Sequence, residues 1–73
     1  MHMGKPEIKV WKIEADMFHR GWNKRDLARA AHISESTLAR FLAGQYQTAK
    51  TLKRISLALG QSPHHYLNDG AAA

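Results

Sequence analysis

KRDLARAAHISESTLARFLA, residues 24–43, contains two short helical patterns joined across a three-residue break, His32 to Ser34. That layout is a helix-turn-helix unit. In the first pattern Leu27, Ala28 and Ala31 share one helical face, and Lys24, Arg25, Asp26 and Arg29 fall elsewhere. In the second, Leu38, Phe41 and Leu42 form an apolar stripe, while Ser36, Thr37 and Arg40 share the opposite side at spacings of three and four. The small side chains of Ala28 and Ala31 let two helices cross closely at a steep angle. A tightly packed pair of this kind presents one short, polar, basic face outward.

Asn23 stands at the N-cap position of the first helix, with Asp26 three residues on. Ser34 caps the second, and Gly44 closes it. Gln45, Tyr46 and Gln47 then form a polar loop before Thr48, the N-cap of a helix expected over 49–59 that buries Leu52, Ile55 and Leu59. Gly60 ends that helix. Ser62 and Pro63 open a short fifth helix through Tyr66 and Leu67. Upstream, the spacing predicts a helix from Ile13 to Arg20 with Ile13, Met17 and Phe18 inward, terminated by Gly21, and Trp22 packs into the core. Ile8, Val10 and Trp11 follow Pro6 and favour an extended arm or strand. The expected organisation is therefore an N-terminal arm at 1–12, beginning with a tag-like Met-His-Met-Gly, a helical domain at 13–67 and a frayed tail at 68–73.

At 73 residues the chain is one domain, close to the size at which a single core is barely sufficient. It has no cysteine, so neither a disulfide nor thiolate chemistry is available. No apolar run approaches the roughly 18 residues of a membrane span, and no signal-peptide pattern opens the chain, so a soluble, cytoplasmic protein is expected. The net charge is +5, and its placement is informative. Residues 22–54 hold seven bases (Lys24, Arg25, Arg29, Arg40, Lys50, Lys53, Arg54) against two acids, Asp26 and Glu35, and so carry the whole excess. Such concentration points to a polyanionic partner.

The line RGWNKRDLARAAHISESTLARFLAG resembles the DNA-binding domain of the lambda-repressor-like family, the Cro/C1-type or XRE helix-turn-helix proteins. Ala28 in mid helix two, Ile33 after the turn, Leu38 in helix three, the following Gly44 and the ending ALGQSPHHYL carry the resemblance, over roughly residues 10–67. It implies an all-α, compact five-helix domain with an extended N-terminal arm. Two positions depart from the family pattern. His32 stands where glycine is usual at the first turn position, so a positive φ there would be tolerated at some cost in strain. Asp16 stands in helix one where similar sequences carry an apolar residue.

The resemblance further implies that helix three (35–43) enters the major groove of double-stranded DNA, where each base pair shows its own donor and acceptor pattern. Glu35, Ser36, Thr37 and Arg40 would then face base edges, with Arg40 able to bond guanine O6 and N7. Asn23, Lys24, Gln47, Thr48 and Lys50 would hold phosphates, helped by helix N-termini. Glu35 has two readings: acceptance from cytosine N4, or a structural charge role, paired with Lys24 or stabilising the N-terminus of helix three. The structural one is preferred.

Rival chemistries find little support. The five histidines include no i, i+4 pair, so no metal, cofactor or catalytic role is expected. The serines lie in no nucleophile-elbow motif, and an enzyme is not expected. Trp11, Phe18 and Trp22 read as core aromatics before base-stacking ones. Lys53 and Arg54 read as a solvated face, in contrast to Lys50. The reading is a small sequence-specific transcriptional regulator, a repressor or Cro-like protein, acting as a homodimer through the arm (Ile8, Val10, Trp11) or the last helix (Tyr66, Leu67). The alternatives are a protein-interaction module, such as an antitoxin binding a partner protein, and a low-specificity architectural DNA binder.

Overall fold

A computed structural model describes residues 7–68, with side chains from 8 to 67. Four α-helices follow one another: α1 (Val10–Arg20), α2 (Lys24–Ala31), α3 (Glu35–Leu42) and α4 (Ala49–Ala58). A 3-10 turn, Pro63–Tyr66, completes the helical part. The expected fifth helix is thus one tight turn, since only four residues separate Ser62 from an extended Leu67. Strands β1 (Glu7–Ile8) and β2 (Leu67–Asn68) pair antiparallel, Ile8 opposite Leu67. The class is all-α, with the two ends of the described segment joined by this two-residue ladder.

Helix ends are set by local chemistry. Asn23 Oδ1 accepts from the Asp26 N–H at 2.9 Å, while Asp26 Oδ2 accepts from the Asn23 N–H at 2.9 Å, a complete capping box. Ser34 and Thr48 each accept from the backbone N–H three residues on, at Thr37 and Thr51. At the C-termini of all four helices the same pair of backbone bonds recurs, as in Ile33 N–H to Ala28 O with His32 N–H to Arg29 O. Three of these ends place glycine at the left-handed position; α2 alone uses His32, at φ 60°, ψ 42°.

One core joins the elements: Ile13, Met17, Leu27, Ala28, Ala31, Leu38, Phe41, Leu52, Ile55, Leu59 and Tyr66 are all buried. Ala28 and Ala31 are buried where α2 packs against both α3 and α4. Trp22 is half-buried against this core, with the Arg20 guanidinium 5.1 Å from its ring.

Several expectations are corrected. The helix starts at Val10, so Val10, Trp11 and Lys12 belong to α1 and not to an arm. No side chain caps this start; Lys9 N–H bonds Tyr66 O at 2.7 Å and the Lys12 ammonium bonds His65 O at 3.2 Å. Phe18 and Trp11, expected in the core, both point outward, 83% and 64% exposed. The α4 helix ends at Ala58, with Leu59 as its cap. Asn68, assigned to the tail, lies in β2; the rest of the tail and residues 1–6 fall outside the described residues.

The unusual Asp16 now has a partner. The hydroxyl of Tyr66, a fully buried residue, donates to Asp16 Oδ2, and His65 Nε2 lies 3.7 Å from the same oxygen. A buried phenol needs an acceptor, and α1 supplies one where an aliphatic side chain could not. Burial first, then this bond and the carboxylate's charge, pushes the Tyr66 hydroxyl well above its ordinary pKa.

Candidate nucleic-acid interface

The break between α2 and α3 fixes how the second helix projects. Once His32 has turned the chain, Ile33 sits half-buried against the core and Ser34 caps α3. Leu38 and Phe41 face inward with no exposed surface. By helical geometry Glu35, Ser36 and Arg40 must then face away, and all three are exposed. Thr37 is half-buried, and its Oγ1 accepts from Ser34 Oγ at 2.9 Å, which leaves the Thr37 hydroxyl proton available outward.

Thr37 and Arg40 from α3 meet Tyr46, Thr48 and Thr51 from the following loop and α4 around an open recess of about 270 Å³. The Arg40 guanidinium lies over the Tyr46 ring, 5.6 Å from its centroid. Thr48 Oγ1 donates to Thr51 Oγ1 at 3.0 Å while capping α4. Asn23, Lys24 and Lys50 are exposed at the starts of α2 and α4 and do not line the recess.

Gln47 and Glu35, like the capping residues, are engaged within the fold. Gln47 sends its Nε2 to Phe41 O at 2.8 Å, so its amide caps the end of α3. Glu35 Oε2 lies 3.4 Å from Arg25 Nε, which gives the structural reading of Glu35 a partner, although it is Arg25 and not Lys24. A second open recess is lined by Arg25, Ala28, Arg29, Ile33 and Glu35. Arg54, read as a solvated base, donates to His32 O at 3.3 Å and so braces the turn.

Sequence reasoning passed over Tyr46 and Thr51. Tyr46 follows the Gly44-Gln45 helix end and read as loop; its one signal was an aromatic among polar neighbours. Thr51 was legible as the residue three after the Thr48 cap. Among the described residues, no cluster of three or more His, Cys, Asp or Glu side chains is gathered for a metal, and no helix is long and apolar enough to cross a membrane.

A short helix held outward by a capped turn, exposing hydroxyl and guanidinium groups on a basic surface, defines a helix-turn-helix domain. A family model described as Helix-turn-helix matches residues 18–67, well over half of the chain. The chain belongs to that family, the Cro/C1-type or XRE group, and is a DNA-binding helix-turn-helix domain. Comparison with curated proteins and with solved structures gave no significant match.

Proposed function

We propose that the chain is a small, sequence-specific transcriptional regulator of the repressor or Cro-like kind, reading double-stranded DNA with α3 in the major groove. The observation that carries this reading is the outward row Ser36, Thr37 and Arg40 on a helix whose opposite side buries Leu38 and Phe41 completely. Arg40 is assigned to guanine, and Ser36 and Thr37 to base edges or neighbouring phosphates. Lys24, Lys50, Asn23 and Thr48 hold the backbone from helix starts, where free N–H groups and the helix dipole favour anions. Gln47 is a support of the α3–α4 loop, and Glu35 a modulator of Arg25. The protein is not assigned an enzymatic activity.

Selection of bound sequences from a random duplex pool, followed by titration of variants, tests the assignment. Arg40→Ala is expected to cost about 1–3 kcal/mol and to relax preference at one base pair, whereas Lys50→Ala weakens all sequences alike and lowers the salt slope by roughly 0.9. Binding that any competitor DNA removes would instead favour an architectural role. Absence of binding at low salt would favour the protein-interaction module.

Pairing of two copies on a two-fold operator belongs to the same proposal, since a domain this small gains affinity and half-site specificity by dimerising. Tyr66 is fully buried and unavailable for that contact. Trp11 is 64% exposed and Phe18, seven residues on along α1, is 83% exposed; they supply an apolar surface for it. A palindromic consensus from the selection, with a complex of two chains per duplex, is the expected result.

A further inference from the structure

Tyr46 combines two features that rarely coincide. Its ring is 69% exposed, so it contributes little to the core, and its backbone is held at φ 49°, a region that side chains other than glycine seldom adopt. Such a residue persists only where its surroundings over-determine it. Here they do. Gln45 N–H bonds Arg40 O at 2.8 Å, Gly44 N–H bonds Phe41 O at 3.0 Å, Gln47 Nε2 bonds the same Phe41 O at 2.8 Å, and Thr48 N–H bonds Tyr46 O at 3.0 Å. The loop between α3 and α4 is therefore pinned at both ends and folds Tyr46 back over the last turn of α3.

The consequence falls on Arg40, whose guanidinium carbon sits 5.6 Å from the Tyr46 ring centroid. An exposed arginine on a helix samples many rotamers, and the entropy of ordering it weakens any base contact it makes. A ring carried on a pinned loop and stacked on the guanidinium removes part of that freedom and still leaves the guanidinium edge, with its donors, open to a ligand.

We propose that Tyr46 is a positioning residue for Arg40: the pinned loop holds the aromatic ring so that the guanidinium is pre-oriented for bidentate recognition, and base selectivity at the position read by Arg40 depends on it. The proposal rests on Arg40 being the base reader proposed above. It makes Tyr46 act through Arg40 and not through a contact of its own with DNA.

The test is a double-mutant cycle on the full chain, using the duplex selected by the wild-type protein and the same duplex with the Arg40-dependent base pair exchanged. Tyr46→Leu keeps the backbone strain of a non-glycine residue while removing the ring. It is expected to lower discrimination between the two duplexes about two- to fivefold, the scale of an exposed cation–π contact. In an Arg40→Ala background the same change is expected to have no effect, and Tyr46→Phe, which keeps the ring, to retain wild-type discrimination. Unchanged discrimination in Tyr46→Leu overturns the proposal, as does an equal loss with and without Arg40. Both outcomes leave the DNA-reading assignment standing. A wild-type chain that selects no sequence overturns that assignment and the positioning role together.

Discussion

His32 closes α2 at φ 60° with its imidazole exposed, in a position that the other three helices of this chain fill with glycine. A left-handed non-glycine residue costs about 1–2 kcal/mol, and glycine returns roughly 0.5–1 kcal/mol of that through its freer unfolded chain. His32→Gly is therefore expected to stabilise the fold by about 0.5–1 kcal/mol, a rise of a few degrees in Tm by calorimetry. The bond from Arg54 is made to the backbone carbonyl, which glycine retains. A fall in Tm would show that the imidazole itself is bound. The stability that Tyr66 contributes depends on pH, with a sign set by linkage. Its hydroxyl is raised above the ordinary value of 10.0 by burial and by Asp16, so the folded state keeps its proton where the unfolded state loses it. The stabilisation is fully present below pH 10 and is lost progressively as pH rises from there, by about 1.4 kcal/mol per pH unit. Tyr66→Phe is expected to be less stable by about 1–3 kcal/mol at pH 8, where it leaves Asp16 without its donor. Denaturant titrations should show the gap between the two proteins narrowing by pH 11, and a constant gap would mean that the phenol ionises as freely in the fold as out of it.

Each helix that follows a loop begins with a side chain that can serve two ends. Asn23 caps α2 through its Oδ1, yet its amide protons remain free to meet a phosphate. Asparagine and aspartate cap about equally well, and alanine costs about 1 kcal/mol. Asn23→Asp is thus expected to keep the melting temperature and lose DNA affinity at low salt, whereas Asn23→Ala lowers both. Equal binding by the Asp variant would take Asn23 out of the phosphate set. The caps at Asn23, Ser34 and Thr48, the glycine ends and the inward apolar residues of α2, α3 and α4 were legible in the sequence, because capping and periodicity are local; Ser56, fully buried on α4 with its hydroxyl donating to Leu52 O, was not. The start of α1 was not. Val10 and Trp11 read as extended by local preference, and what makes them helical is the contact of Lys9 and Lys12 with carbonyls more than fifty residues away. Phe18 was misplaced because a short amphipathic pattern does not say how much of a helix its neighbours cover. In the site, the exposed face of α3 was readable from spacing, but Tyr46 was not, since its place depends on a loop whose bonds no local pattern encodes.

Charge and packing are divided between two jobs. The core is a single cluster and, in so small a domain, leaves little stability to spare. The net +5 lies in the segment that carries α2, α3 and the first turns of α4. Of the two acids in that segment Asp26 is bound in the α2 capping box, and Glu35 is exposed on α3 only 3.4 Å from Arg25. Both side chains are more than half exposed, at 59% and 68%, so the pair adds at most about 1 kcal/mol to stability. Its larger effect is on the field that a polyanion meets, because it cancels one base beside the presented helix. Glu35→Gln is expected to leave the unfolding free energy within about 1 kcal/mol of wild type, to tighten duplex binding at low salt, and to lose that advantage as salt rises and screens the freed Arg25. The opposite result, weaker binding confined to one cognate base pair at all salt concentrations, would assign Glu35 to cytosine N4 and move it from modulator to reader. The two outcomes differ in salt dependence as well as in sign. A titration at two ionic strengths is therefore enough to place the one acid on α3.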